Sequence, residues 1–208
     1  MARALFVGVQ VTAVAAWSLV GSPGSTGLSG GSVQYTAVAM DSTNQPWVVF
    51  RDGANSNKAS VMSYNGETWA DVGARGFSTA VVIYSCMELT SSNQPYVAVV
   101  ESNQPTVYTY SSSSWSVVGS AGVGQSMTIT SEIDIRMKSD GNPFVIFHAN
   151  VQGNFVFSIT AVEYDGSSWN LVGTSGGVSP GGAAQIALAL SPSDTPYVAY
   201  RDGTRSNK

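Results

Sequence analysis

Charged side chains make up only 11% of this 208-residue chain, so a cluster of them inside an apolar pattern stands out. The stretch EIDIRMK (132–138) alternates, with Ile133, Ile135 and Met137 on one side and Glu132, Asp134, Arg136 and Lys138 on the other. At the two-residue period of a strand, the four charges share one face. Burying them unpaired would cost several kcal/mol. They must therefore pair, face a hydrated channel, or bind a cation or small ligand. A second polar set is the pair of loops RDGANSNK (51–58) and RDGTRSNK (201–208), which agree at six of eight positions. Arg51, Asp52, Arg201 and Asp202 there suit either charge-capped turns or a repeated polar pocket for a glycan or peptide.

A catalytic set is harder to assemble. His148 is the sole histidine and Cys86 the sole cysteine, too few for a Cys/His zinc site, and a single cysteine excludes an intrachain disulfide. No nucleophile or acid–base partner can be placed beside His148, which reads as a strand-end residue. No cofactor is implied. The formal charge is −4 with no basic run, so the electrostatic footprint of nucleic-acid binding is missing. No stretch is long enough to span a bilayer as a helix.

The elements that must position these groups are written as a repeat. A Pro-aromatic step opens an apolar run four times: QPWVVF (45–50), QPYVAV (94–99), NPFVIF (142–147) and TPYVAY (195–200). From Pro46 to Pro95, Pro143 and Pro196 the steps are 49, 48 and 53 residues. A Trp followed by Val-Gly recurs as WSLVG (17–21), WADVG (69–73), WSVVG (115–119) and WNLVG (169–173). Turns precede three of those tryptophans, in YNGETW (64–69), YSSSSW (110–115) and YDGSSW (164–169). Each repeat holds four short strands rich in β-branched and aromatic residues, bounded by turn formers. Each Pro opens a second strand, where its missing N–H does least harm to the ladder. A Gly/Ser connector such as 21–32 or 173–182 follows the fourth strand.

The fold class is therefore all-β: a β-propeller of four blades, each of about 50 residues and four strands. The constant place of Trp17, Trp69, Trp115 and Trp169 before Val-Gly argues for packing between blades rather than stacking on sugars. Aligned on the prolines, Ala39 matches Glu88, Arg136 and Ala189, while Ala37 matches Cys86, Asp134 and Ala187. Glu88 and Arg136 should then lie on neighbouring first strands, within salt-bridge reach.

The Asp/Asn-Gly-x-x-Trp hairpins at 65–69 and 165–169 resemble the Asp-box hairpin of sialidase-like propellers. The copy at 110–115 has neither Asp nor Gly at the turn, and the full Asp-box spacing is missing from all copies. The resemblance implies a propeller in a secreted setting and turn residues that cap the hairpin. It carries over no sialidase activity, since no triad for a carboxylate can be drawn among the six arginines, Arg3, Arg51, Arg75, Arg136, Arg201 and Arg205.

Residues 1–16 read two ways, as a signal peptide or as an N-terminal strand that closes the last blade, leaving 17–208 as the four-repeat domain. Residues 5–14 and 17–20 sit in the register of strands three and four, so pairing of 5–11 with 196–201 would close the ring. Otherwise the chain is a fragment of a larger propeller. The expected function is a non-catalytic, extracellular, lectin-like module recognising a glycan or protein on the connector face. The alternatives are a hydrolase or lyase using the carboxylates of Glu88, Asp134 and Glu132, and a structural segment of a surface protein.

Overall fold

The structure is a computed structural model and describes residues 5–6, 9–11, 17–21, 27–124, 130–150, 157–174, 177–179 and 181–203. Residues 12–16, the end of the segment read as a signal peptide or closing strand, and the end of the second RDG loop, 204–208, lie outside the described residues. Short strands β1 (Leu5–Phe6), β2 (Val9–Val11) and β3 (Trp17–Ser18) form one antiparallel sheet. Three four-stranded antiparallel sheets follow, each a meander in chain order. The first contains β4 (Val33–Met40), β5 (Pro46–Asp52), β6 (Lys58–Tyr64) and β7 (Trp69–Asp71). The second contains β8 (Val82–Leu89), β9 (Pro95–Glu101), β10 (Gln104–Ser111) and β11 (Ser114–Val117). The third contains β12 (Thr130–Met137), β13 (Pro143–Ala149), β14 (Ser158–Tyr164) and β15 (Trp169–Val172). A fourth repeat contributes a two-stranded sheet of β16 (Ala183–Leu190) and β17 (Pro196–Asp202).

The sequence markers are the joints of this array. Each repeat proline begins a second strand and pairs with the last residue of the first: Met40 with Pro46, Leu89 with Pro95, Met137 with Pro143, Leu190 with Pro196. The tight turns between them need a residue at positive φ, supplied by Asn44, Asn93, Gly141 and Asp194. In the third-to-fourth-strand hairpins, the Asn65 Oδ1 accepts from Glu67 and Thr68 N–H, and the Asp165 Oδ1 from Ser167 and Ser168 N–H. Both side chains cap their turns.

The Trp and Val-Gly markers prove to be one device. Trp69 Nε1 donates to the Val20 carbonyl, Trp115 Nε1 to Val72 and Trp169 Nε1 to Val118, each at 2.8 Å. Each indole thus bonds the Val of the preceding repeat's Val-Gly. The glycine must let the ring approach. At Gly73, φ is +69°, and an added Cβ would stand 2.5 Å from Tyr110 Cε2 and 3.0 Å from Trp115 Nε1. The packing role read from the constant position of these tryptophans holds for Trp69, Trp115 and Trp169.

Successive sheets stack face to face through apolar layers. Val49, Val61 and Val72 of the first repeat pack with Met87, Val97, Val99 and Tyr108 of the second. Ala98, Val100 and Val107 pack with Ile135, Val145, Phe147 and Trp169. Phe144, Ile146 and Ile159 pack with Leu188, Leu190 and Val198. Repeated four-stranded sheets stacked in this way make a propeller-like repeat fold.

Two features depart from the sequence reading. Every first strand carries an extra residue, between Gln34 and Ala37, Val82 and Tyr84, Ser131 and Ile133, and Ala184 and Ala187. The alternation read over 132–138 is therefore interrupted in space at Glu132, which lies in the bulge at φ +33°. The described residues also do not show the ladder expected between residues 5–11 and 196–201. Among the described residues β2 pairs with β1 and β3, and β17 with β16 alone.

Candidate functional site

Asp52 lies inside the protein. It ends β5, caps a short 3₁₀ turn over Gly53–Asn55 and is fully buried. Its carboxylate accepts from Ala54 N–H at 3.0 Å, Asn55 Nδ2 at 2.9 Å and Ser60 Oγ at 2.9 Å, with Arg75 Nη1 at 3.5 Å. Glu101 holds the same register position in the second repeat and is also buried, accepting from Tyr108 OH at 2.6 Å and Ala80 N–H at 2.9 Å. Burial, together with that hydrogen bond, pushes the Tyr108 phenol up to about 12. The acid after the second strand thus ties its loop to the third strand and the next connector. Glu101 and Arg75 were not singled out from the sequence, because Glu101 departs from the RDG spelling and Arg75 lies in a connector.

Arg51, beside Asp52, faces outward. Its Nε donates to Asn57 Oδ1 at 3.1 Å, and its guanidinium carbon stands 5.8 Å from the centre of the exposed Tyr35 ring. Tyr84 of the next repeat lies 5.1 Å from Tyr35, tilted by 39°. Tyr35 has φ +50° at the bulge of β4, and its carbonyl accepts from Ser85 Oγ. A bulge re-aims the side chain it carries. Here it turns an aromatic ring outward between two repeats, beside a cation. No spacing in the sequence marks Tyr35, since the bulge is invisible to a period-two count. Arg201 and Asp202 occupy the positions of Arg51 and Asp52 in the fourth repeat, with Arg201 exposed and Asp202 partly buried. Two whole sheets separate the two sets.

The first-strand charges come together as the alignment requires. Arg136 Nη1 stands 3.7 Å from Glu88 Oε2 and 2.8 Å from Asp134 Oδ1, and also donates to the Ile135 carbonyl at 2.6 Å. Asp134 Oδ1 further accepts from Ile135 N–H, and its Oδ2 from Leu188 N–H at 2.8 Å. Glu132 Oε2 accepts from Ile186 N–H at 3.1 Å. Two carboxylates of the third repeat therefore cap backbone donors of β16 in the fourth. Among the described residues Glu88 has only the long Arg136 contact to offset its desolvation, and burial raises its carboxyl above the ordinary value. Burial likewise pushes the Cys86 thiol well up, so it stays protonated and unreactive at neutral pH. A carboxyl of raised pKa beside a free carboxylate would suit acid–base hydrolysis. Asp134 is not free: both oxygens are engaged. Among the described residues no group of three or more His, Cys, Asp and Glu side chains is placed to hold a metal ion.

His148 occupies the Arg51 position in the third repeat, and Ala149 that of the buried acid. Ser131 Oγ meets its Nδ1 at 2.7 Å, Phe157 lies against its ring, and the side chain is buried. Thr160, which corresponds to Ser60, has a buried hydroxyl with no hydrogen-bond partner. The replacement of the acid by Ala149 accounts for that orphan. Burial lowers the His148 pKa, opposed by the nearby Glu132 carboxylate. The folded state therefore binds fewer protons than the unfolded chain below about pH 6.5. Stability is full above that pH and is expected to fall as pH drops through the His148 range. In His148→Phe the slope of unfolding free energy between pH 7 and 5 should flatten, as read by urea titrations at several pH values. An unchanged slope would remove His148 as the cause.

With this geometry in hand, comparison with known proteins gives a likeness of fold. The chain is similar to a fucose-specific lectin from Aleuria aurantia in a mercury-derivative form, at 18% identity and TM-score 0.58, over 94% of this chain and 63% of that one. It is similar to the N224Q mutant of the Aleuria aurantia lectin in complex with Fucα1-6GlcNAc, at 19% identity and TM-score 0.57, over 80% of this chain and 55% of that one. A fucose lectin from Kordia zhangzhouensis in complex with methyl-fucoside aligns at 16% identity and TM-score 0.45, over 67% of this chain and 98% of that one. The chain thus spans little more than half to two thirds of the length of the Aleuria lectin chains. No protein-family model and no curated protein sequence matches it. At these identities the shared property is the stack of four-stranded antiparallel sheets, and the site residues must be argued from this chain alone. Among the described residues no helix is long and apolar enough to cross a membrane.

Proposed function

We propose that this chain is a non-catalytic, secreted binding module of the β-propeller class that recognises a glycan on its connector face, with Tyr35 and Arg51 at the contact. The observation that carries the reading is the exposed Tyr35 ring flanked by the Arg51 guanidinium and by Tyr84. An aromatic face stacks on the C–H side of a pyranose, and a fixed guanidinium donates to its hydroxyls. Asn57 fixes Arg51 from behind. Fold likeness to lectins whose names specify fucose supports the class and makes fucosylated glycans the first ligands to test. The low charge content and the capped, Asp-box-like hairpins support a secreted setting. In this reading the sheets are blades, and the Glu88–Arg136–Asp134 network is their internal brace.

A glycan array containing fucosides, run beside a panel of fluorogenic glycosides, tests the reading. Wild type should bind without turnover. Tyr35→Ala and Arg51→Ala should each weaken binding by roughly tenfold, on the order of 1.4 kcal/mol, with an unchanged circular dichroism spectrum. Asp52 stays untouched in this design because it belongs to the interior. Undiminished binding in the double variant excludes this contact, and hydrolysis of any glycoside that Glu88→Gln abolishes would instead favour the enzyme.

A further inference from the structure

Cations in this chain are few, and acids outnumber them by 13 to 9. Most of the charge that the fold uses is paired. Among the described residues Arg75 lies 2.8 Å from Asp71, Arg136 lies 2.8 Å from Asp134, and Lys138 lies 3.2 Å from Asp140 and 3.3 Å from Glu163. Arg51, Lys58 and Arg201 take no part in these ion pairs. Arg51 and Lys58 stand at the two ends of one loop, between β5 and β6. In a chain with acid to spare, a cation without a carboxylate is not short of candidates.

Asp52 follows Arg51 directly but does not neutralise it. Neighbours along a strand point to opposite faces. The buried Asp52 carboxylate is taken up by Ala54 N–H, Asn55 Nδ2, Ser60 Oγ and Arg75. Arg51 is half-buried and bonds Asn57 through Nε, so among the described residues both of its Nη groups lack a hydrogen-bond partner. Nor does the fold call for a cation at this place. The matching residue is the fully buried Val100 in the second repeat and the buried His148 in the third. Arg51 is therefore a guanidinium anchored at one nitrogen, with two free donors, beside the Tyr35 ring that is 38% exposed.

Building on the glycan reading of this contact, we propose that its ligand is an acidic glycan, one whose pyranose carries a carboxylate or a sulfate. The sugar ring lies against Tyr35, and two oxygens of the anionic group accept from Arg51 Nη1 and Nη2. A planar guanidinium fork matches a carboxylate or sulfate edge with two parallel hydrogen bonds, a fit that a single sugar hydroxyl cannot give. Lys58 adds positive potential without needing to touch the ligand.

Titration calorimetry on the whole chain with matched pairs of sugars tests this. Methyl glucuronide should bind at least about tenfold more tightly than methyl glucoside, and methyl galacturonide likewise against methyl galactoside, because hydrogen bonds between charged groups exceed neutral ones by that order. A 6-sulfated methyl galactoside identifies the group: binding like the uronides assigns any oxyanion, binding like the neutral sugar assigns a carboxylate. Raising salt from about 50 to about 300 mM should weaken the acidic sugars and leave the neutral ones nearly unchanged. Arg51→Gln should remove the preference, with circular dichroism confirming the fold. Neutral sugars that bind as tightly as their acidic partners overturn the acidic ligand but leave the glycan reading standing. Uronide binding that salt does not weaken, or a preference that survives in Arg51→Gln, also overturns it. If no sugar of either kind, fucosides included, binds the wild type, both readings fall.

Discussion

Trp169→Ala is expected to lower stability by about 3–5 kcal/mol, the range for removing a buried tryptophan. For a domain of this size, that lowers the midpoint of thermal unfolding by roughly 10 °C or more. Trp169 is buried in the layer between the second and third sheets, beside Val118, Val145 and Phe147, with the Tyr164 ring at 5.2 Å. Two losses combine. The cavity removes contacts on both sides of the junction, and the buried Val118 carbonyl loses its 2.8 Å donor. Trp169→Phe separates them: it keeps most of the volume and should cost only about 1–2 kcal/mol, the scale of one buried hydrogen bond left unmade. Thermal melts followed by far-ultraviolet circular dichroism check both variants. A change under 1 kcal/mol on Trp169→Ala would mean that the indole does not hold the junction, and that Gly119, at φ +65° beneath it, owes its place to the turn alone.

Most of the architecture is legible because repetition multiplies weak signals. A single Pro-aromatic step or a single Trp-x-x-Val-Gly says little, but four copies in constant order fix the strand order and the register. Ala39, Glu88, Arg136 and Ala189 face Trp47, Tyr96, Phe144 and Tyr197 across their ladders, as alignment on the prolines requires. The Glu88–Arg136 contact follows from that register. The site is less legible for two physical reasons. A bulge changes which way a side chain points without changing local composition, so Tyr35 reads as one more strand tyrosine. Burial of a charge depends on donors far along the chain. RDGANSNK looks like a solvated loop, yet Asp52 draws on Ser60 in the next strand and Arg75 in a connector. The serine that accompanies it was also hidden. Ser29, Ser78 and Ser179 each tie down a connector by bonding a carbonyl two residues on, and Ser78 and Ser179 also accept from the third strands at Ala59 and Ile159 N–H. Serines are so frequent in this chain that no spacing makes these three conspicuous.

Asp52→Ala is the second large effect, expected at about 3–4 kcal/mol, since hydrogen bonds to a charged group are worth about 1.5–3 kcal/mol each and do not add fully. The substitution leaves Ala54 N–H, Asn55 Nδ2 and the buried Ser60 Oγ without their acceptor. Arg75 is not orphaned, because Asp71 holds its Nε at 2.8 Å and the Leu28 carbonyl accepts from it at 2.8 Å. The cost therefore comes from the loop and the third strand rather than from an abandoned cation. Asp52→Asn separates charge from geometry. Its carbonyl oxygen can still accept from Ala54 N–H, while its amide meets the Asn55 amide donor to donor, so it should fall between wild type and alanine. Urea unfolding of the three proteins orders them, and hydrogen exchange at 53–60 should rise in Asp52→Ala before the strands β8 to β11 are affected. The protein contains its own control in the third repeat, where Ala149 stands at this position and Thr160 is left without a partner. Thr160→Val should accordingly be nearly neutral, whereas Ser60→Val, which removes a donor from Asp52 and an acceptor from Gly76 N–H, should not. Equal costs for the two valine variants would mean that the buried acid does not organise the first repeat.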